Sequence, residues 1–227
     1  MESKIGELQL KIMKEFPESA LIFRRPLVIA DIGEKVKFED IESDIEKEGR
    51  KIWQFKSNKG FQLNILADSL DITSQYHKTY DLEGGEKFRD IIKFVLDCFF
   101  EVTSIPIINR IGLRYIDECP IPSKDNETFR SYYNSKFPLD KFDLTDVTEM
   151  DFKTVIRKGK YNLRYVESLQ KIEDDYKLIL DFDGFAENID SGDYLTVTDD
   201  LHTIISDGFK ETIREPVYEC MREGKED

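Results

Sequence analysis

The 227-residue chain contains little cysteine and little histidine, and each scarcity excludes a class of site. Its three cysteines, Cys98, Cys119 and Cys220, are far apart, and their odd number without a CxxC pair argues against a disulfide framework. The two histidines, His77 and His202, are near neither a cysteine nor each other, which argues against a zinc site. We therefore expect reduced cysteines and no structural metal.

Long apolar runs and glycine-rich phosphate loops are also missing. No stretch approaches the roughly 20 consecutive apolar residues that a helix needs to cross a bilayer, and no signal peptide is evident. The sequence contains neither a P-loop nor a GxGxxG fingerprint. We therefore expect a cytoplasmic protein with no membrane segment and no cofactor.

Positive charge is in deficit, because 47 Asp and Glu outnumber 33 Lys and Arg and give a formal net charge of −14. This balance disfavours nucleic-acid binding through a broad basic face, since neutralising phosphates requires clustered Lys and Arg. The charge balance does not exclude binding through a local basic groove. An acidic surface also suits a basic protein partner, and the sequence leaves the oligomeric state open. With 40% hydrophobic residues, the chain is apolar enough for a folded core.

The first half of the chain predicts a short helix, a strand, a three-stranded antiparallel meander and a long helix. These elements cover, in order, residues 4–16, 20–32, 52–57, 61–67, 70–76 and 86–103. Gly60 is available for the positive φ of the turn between the first two meander strands. Phe88, Ile91 and Val95 begin an apolar stripe, with which the long helix is expected to pack on the sheet.

The second half repeats this order and opens with the strand that organises the chain, residues 107–118. Ile111, Leu113 and Tyr115 alternate with Arg110 and Arg114, so one face of this strand is apolar and the other carries the arginines. The glycine between the two arginines would weaken the strand unless a close neighbour, a bend or a bulge needs its space.

An insertion and four further elements complete the second half. The insertion covers residues 120–146 and contains an aromatic helix, and its aromatic side chains form either a small satellite core or a partner-docking surface. These aromatics are Tyr132, Tyr133, Phe137 and Phe142. Strands are predicted over 147–157, 161–172 and 176–185. A last helix is predicted over 198–213 with Thr198 as its N-cap, and the tail beyond Pro216 is expected to fray.

The repeated order predicts an α+β protein with a single domain over residues 1–227 and pseudo-repeat halves 20–104 and 107–214. We expect the two β-meander-plus-long-helix halves to join edge to edge into one curved antiparallel sheet, with both helices on one face. This topology is similar to the TATA-binding-protein-like or helix-grip-like layout, an analogy that carries no function. The other face of the sheet is expected to be polar and open.

Several residues resemble the marks of a scattered family of bacterial and archaeal proteins of similar length. Those marks are a Trp-x-Phe strand, a glycine turn, a Leu strand ending in Ser-x-Tyr, a Phe-bearing helix, an Arg-x-Gly-Leu-Arg-Tyr-Ile-Asn strand and a late Leu-His. The similar positions here are Trp53, Phe55, Gly60, Leu70, Ser74, Tyr76, Phe88, Arg110, Gly112, Leu113, Arg114, Tyr115, Ile116, Leu201, His202 and Phe209. Asp117 stands where the family usually shows Asn. The resemblance implies no particular chemical activity, and the family's sporadic occurrence implies a defence or toxin–antitoxin setting.

Arg110 and Arg114 are the main candidates for a binding site. Residues four apart on a strand share a face, roughly 13 Å apart along the chain. Their guanidinium groups could hold a phosphate or carboxylate of a ligand or partner. The alternative is that they pair with acidic residues on adjacent strands, a common stabiliser of sheets.

Three carboxylates form a weaker candidate site. Asp181 and Asp183 share a strand face, and Glu167 and Lys171 are expected on the neighbouring strand. Paired carboxylates could hold Mg²⁺ for phosphoryl chemistry, although their spacing matches no diagnostic motif, and acidic residues on an exposed strand usually form a solvated face.

Three functions follow from these observations. The first is a non-enzymatic binding protein with a protein partner, favoured by an acidic chain without a catalytic signature. The second is a metal-dependent phosphodiester- or nucleotide-processing enzyme that uses the three carboxylates. The third is a small-ligand binder of the helix-grip type, with a pocket between sheet and helices.

Overall fold

The structure is a computed structural model that describes residues 2–24, 50–74, 80, 87–172 and 175–223. The chain divides into two compact units, Met1–Ser104 and Ile105–Asp227. Each unit holds one four-stranded antiparallel sheet together with helices. The predicted α+β class is therefore confirmed, and the single-domain organisation stays a prediction.

The first unit contains two helices and the four strands of its sheet. They are α1 Glu2–Ile12, β1 Glu18–Arg24, β2 Arg50–Lys56, β3 Phe61–Ile65, β4 Leu70–Ser74 and α2 Phe88–Val102. The strand order β1-β2-β3-β4 is the predicted meander with its leading strand. Gly60 has the predicted positive φ, 83°, in the turn between β2 and β3. The predicted extension of β1 beyond Arg24, together with Tyr76 and His77, lies outside the described residues.

Apolar side chains from both helices and from the sheet form the core of the first unit. The stripes of α1 and α2 meet the inward-facing residues of β2 and β3, as the helical and strand periodicities predict. The most buried members are Leu8, Ile12, Phe16, Phe55, Leu63, Ile65 and Val95.

The second unit contains the organising strand, the insertion, three further strands and two helices at its C-terminal end. Its elements are β5 Ile107–Pro120, α3 Asn126–Tyr132, β6 Met150–Lys158, β7 Tyr161–Ile172, β8 Asp175–Asp190, α4 Tyr194–Thr212 and α5 Glu215–Glu223. The strand order is β5-β8-β7-β6. The Asp125 side chain caps α3 by accepting a hydrogen bond from the Thr128 amide at 2.8 Å.

The two units share an element order along the chain but not a strand pairing. In the first, the leading strand β1 pairs with the first meander strand β2, whereas in the second β5 pairs with the last meander strand, β8. The two longest strands of this unit, β5 with 14 residues and β8 with 16, thereby pair along most of their length. The described strands therefore form two sheets where we expected one curved sheet.

Two predictions for the C-terminal end are wrong. Helix α4 begins at Tyr194, not after Thr198, because Tyr194 and Val197 extend its buried stripe by a turn and the Thr198 hydroxyl donates to the Tyr194 carbonyl within the helix. Beyond α4 the chain forms helix α5, where we expected a frayed tail. Pro216 lies in the first turn of α5, where a missing backbone N–H costs nothing, and Val217 is fully buried.

Helix α4 packs tightly on the second sheet. A Cβ added at Gly184 of β8 would lie 3.3 Å from Ile205 Cδ1, and one at Gly208 of α4 would lie 3.0 Å from Phe182 Cε1. Both glycines therefore allow a close approach of helix and strand. Leu163, Phe182, Leu201 and Ile205 fill the space between these elements.

Candidate functional site

Strand alternation brings five charged residues onto one face of the second sheet, which we call the arginine face. They are Arg110 and Arg114 on β5, Arg164 on β7, and Asp181 and Asp183 on β8. The register sets Arg114 and Arg164 on the two sides of Asp183. Helix α4 packs on the opposite face, so these charges lie away from that unit's main core.

Two arginines share the carboxylate of Asp181. Arg114 donates from Nε and Nη2 to the two carboxylate oxygens, both at 2.8 Å, in a bidentate pair. From the other side, Arg164 Nη1 donates to Oδ2 at 2.9 Å. Burial by itself would raise the pKa of Asp181, but the hydrogen bonds and charges of Arg114 and Arg164 outweigh it, and the net pKa is lowered. Asp181 is therefore ionised and held as a fixed negative charge.

Arg110 forms the second ion pair of the arginine face. Its Nη2 lies 3.1 and 3.2 Å from the two carboxylate oxygens of Asp183, and its guanidinium carbon lies 4.7 Å from the centre of the Phe185 ring. A Cβ at Gly112 would lie 3.0 Å from Arg110 Nη1. Gly112 therefore leaves the space in which the Arg110 side chain folds over the strand. This close neighbour explains why a glycine, which weakens strands, occurs at this position.

Exposed aliphatic side chains flank these ion pairs on both edge strands. Ile116 on β5 and Val155 on β6 are 58% and 57% exposed and lie on the arginine face. The register aligns Ile116 beside Asp181 and Val155 beside Arg164. The arginine face thus combines half-exposed arginine side chains, a residue type enriched at the centre of protein interfaces, with exposed aliphatic surface.

The structure does not bring the three candidate metal ligands together. Glu167 pairs with Leu180 in the register and points to the core face, opposite Asp181 and Asp183. It is fully buried and accepts hydrogen bonds from Lys136 N at 3.0 Å, from Tyr165 Oη at 2.6 Å and from the Ser135 hydroxyl. Glu167 therefore anchors the insertion to the sheet.

A second set of titratable side chains lies on the core face of β5. Tyr115 Oη is 3.2 Å from His202 Nδ1, so His202 is a partly buried, hydrogen-bonded residue of α4. Two residues on, Asp117 has no hydrogen-bond partner for its side chain among the described residues, and burial raises its pKa to about 6. Burial, with a smaller contribution from Asp117, also raises the pKa of Cys119 to about 12, so this thiol stays protonated and unreactive.

Most aromatics of the insertion form a satellite core rather than a docking surface. Phe129 contacts both Tyr133 and Phe137, with ring centres 5.0 and 5.8 Å apart, and all three are buried. Phe142 differs because it is 53% exposed.

Arg164 is absent from the candidates that the sequence predicts, although a signal for it exists. Tyr161, Leu163 and Tyr165 alternate with Asn162 and Arg164, so period two places Arg164 on the polar face of its strand. Its link to Asp181 depends on the pairing of β7 with β8, which the turn between them predicts.

Comparisons of the chain with protein-family models, with curated proteins and with solved structures found no match. The family resemblance therefore stays a prediction. In the part of the chain that the structure describes, no helix has the length and apolar character needed to cross a membrane. Within the same residues, no three His, Cys, Asp or Glu side chains are grouped to hold a metal ion.

Proposed function

We propose that this protein is a non-enzymatic, cytoplasmic binding protein that recognises a protein partner through the arginine face. The observation that carries the proposal is the combination, on one sheet face, of half-exposed arginines held in fixed positions by Asp181 and Asp183 with the exposed side chains of Ile116 and Val155. Arginine is enriched at interface centres and is more weakly hydrated than lysine, whereas apolar side chains gain free energy on leaving water.

Fixed arginines favour recognition, because less side-chain entropy is lost on binding. Arg114 uses Nε and Nη2 on Asp181, and its Nη1 has no acceptor among the described residues. That nitrogen can donate to a carbonyl or carboxylate of the partner. Over longer distances the net charge of −14 attracts a basic partner. A defence or toxin–antitoxin setting, which the family resemblance implies, would supply such a partner.

The geometry gives less support to a metal-dependent enzyme. Both oxygens of Asp181 and both oxygens of Asp183 accept from guanidinium groups, so a cation would have to displace an arginine. Glu167 lies on the other face of the sheet and is engaged by the insertion. Millimolar Mn²⁺ should leave the melting temperature unchanged, and a rise of several degrees would favour the enzyme instead.

The geometry also gives little support to a helix-grip ligand pocket. Leu201 and Ile205 of α4 lie against Gly184, and Phe182 lies against Gly208, so side chains fill the space in which such a ligand would bind. A binding site on the arginine face, on the other side of this sheet, does not require the space that these side chains fill.

The proposal can be tested by capture of partners from the native host. Wild-type protein, Ile116→Asp and Phe142→Asp are used as baits in parallel, and retained proteins are identified by mass spectrometry. Phe142 is a matched control because it is a similarly exposed apolar residue in the insertion of the same unit.

We expect a stoichiometric protein on the wild-type and Phe142→Asp baits that is lost from Ile116→Asp, because a charge in an apolar contact is left desolvated and unpaired. Retention of the same protein by all three baits would contradict the proposed surface. Recovery of the bait alone under all conditions would contradict the protein-binding function.

A further inference from the structure

A basic cleft lies in the first unit, at the junction of the end of α1, the β2–β3 turn and the first turns of α2. Its volume is about 480 Å³, within the range of small-molecule sites. The residues that line it are Lys11, Lys14, Glu15, Lys59, Lys87, Asp90, Ile91 and Phe94. They come from three separate parts of the sequence, so no local sequence motif predicts the site.

The charge of this lysine cleft is opposite to that of the chain. Four lysines and two carboxylates line the cleft, and Glu101, which pairs with Lys11, leaves a local excess of one positive charge in a protein whose net charge is −14. Two of the lysines have acidic partners, Lys11 with Glu101 at 2.6 Å and Lys59 with Glu15 at 2.8 Å. Lys14 and Lys87 make no ion pair among the described residues.

One wall of the lysine cleft is apolar. Ile91 is buried and Phe94 is half-buried, and both project from α2. Lys87 is the N-cap of α2, so its charge lies beside the positive end of the helix dipole. A ligand that fits the cleft would place an anionic group against the lysines and an apolar or aromatic group against Ile91 and Phe94.

We propose that the lysine cleft binds a small phosphorylated molecule that carries at least two negative charges and an apolar or aromatic group, as a nucleotide does. Lysine ammonium groups bind phosphate as point charges, and their excess here supplies the attraction that the rest of the acidic surface opposes. The proposal concerns the first unit and does not depend on the arginine face.

The test is isothermal titration of the full-length protein in low-salt buffer without divalent metal, with ATP, inorganic triphosphate, adenosine and a hexaglutamate peptide as probes. We expect ATP to bind more tightly than triphosphate, because only ATP also reaches the apolar wall, and adenosine to bind more weakly than both. Higher ionic strength should weaken ATP binding by screening the charges.

Variants assign the binding to the cleft. The double substitution Lys14→Gln and Lys87→Gln should weaken ATP binding roughly tenfold, at about two- to fivefold for each exposed charge. Asp90→Asn removes a negative charge from the cleft and should tighten binding by about two- to fivefold. Lys4→Gln is the control, because Lys4 lies on α1, the helix that carries the lining residue Lys11, and is itself outside the lining residues.

Three outcomes would overturn the proposal. The first is no heat of binding for ATP at millimolar concentration. The second is an equal loss in Lys4→Gln and in the double variant, which would indicate unspecific charge attraction. The third is equal affinity for triphosphate and for a hexaglutamate peptide, which would replace a phosphorylated ligand by an acidic peptide.

Discussion

Replacing Asp117 with asparagine should stabilise the protein at neutral pH. Asp117 lies on the core face of β5 between Tyr115 and Cys119, opposite Leu180 of β8. Burial raises its pKa from the ordinary value of 3.8 to about 6, and its side chain has no hydrogen-bond partner among the described residues. At pH 7 the folded protein therefore holds an ionised carboxylate that would be better solvated in the unfolded chain.

The sign and size of the effect follow from the two pKa values. The folded state binds the proton more tightly than the unfolded state, so this group's contribution to stability is complete below about pH 4 and is lost as the pH rises through about 6. The difference corresponds to about 3 kcal/mol at pH 7. Asp117 keeps some contact with solvent, and an asparagine amide must also be desolvated, so we expect a gain of about 1–2 kcal/mol.

Urea unfolding followed by far-UV circular dichroism at pH 4 and pH 7.5 measures this gain. Asp117→Asn should be more stable than wild type at pH 7.5 and equal to it near pH 4. Asp140→Asn is the control, since the Asp140 side chain is 97% exposed and loses the same charge without any burial. A destabilised Asp117→Asn at pH 7.5, or the same gain at both pH values, would refute the reasoning.

Substitutions at three further positions test the packing, the charges and a turn of the second unit, each by urea unfolding. Glu167→Gln should cost about 1–3 kcal/mol, because the amide cannot accept every hydrogen bond that the buried carboxylate accepts; an unchanged midpoint would contradict its anchoring role. Asp181→Asn should cost about 1–2 kcal/mol at pH 7, because it removes the ion pairs to Arg114 and Arg164, and the deficit should shrink at acidic pH as the carboxylate of the folded wild type, whose pKa is lowered, becomes protonated. A deficit independent of pH would contradict the ion pairs. Gly159→Ala should cost about 1–2 kcal/mol because φ is 61° there and no atom lies within 4 Å of the new Cβ, whereas Gly159→Asn should cost less; equal costs would contradict a purely conformational cause.

The elements that the sequence predicted well are those with a long, regular period. Helix α2 has apolar residues at helical spacing along its length, and strands β5 and β7 alternate over most of theirs, although Asp117 and Glu167 interrupt the apolar face, so type and bounds follow from burial of one face. Helix α5 was missed because Pro216 suggests an end, although proline is compatible with the first turn of a helix.

Only part of the arginine face could be predicted from the sequence. Period two alone places Arg110 and Arg114 on one face of their strand, and Asp181 and Asp183 on one face of theirs. The pairing of these arginines with these carboxylates depends on the contact between β5 and β8, which are separated by the insertion and two strands. No local pattern in the sequence specifies that contact. The lysine cleft was unpredictable for the same reason, because its lysines meet only when α1 packs near the start of α2.

Amide hydrogen exchange on the captured complex tests the central claim most directly. The account predicts slower exchange in β5 and β6 when the partner is bound, because these edge strands carry Ile116 and Val155 on the arginine face. It predicts unchanged exchange in β2 and β3 of the first unit. Slower exchange confined to the first unit, with β5 and β6 unchanged, would contradict the assignment of the arginine face as the binding surface.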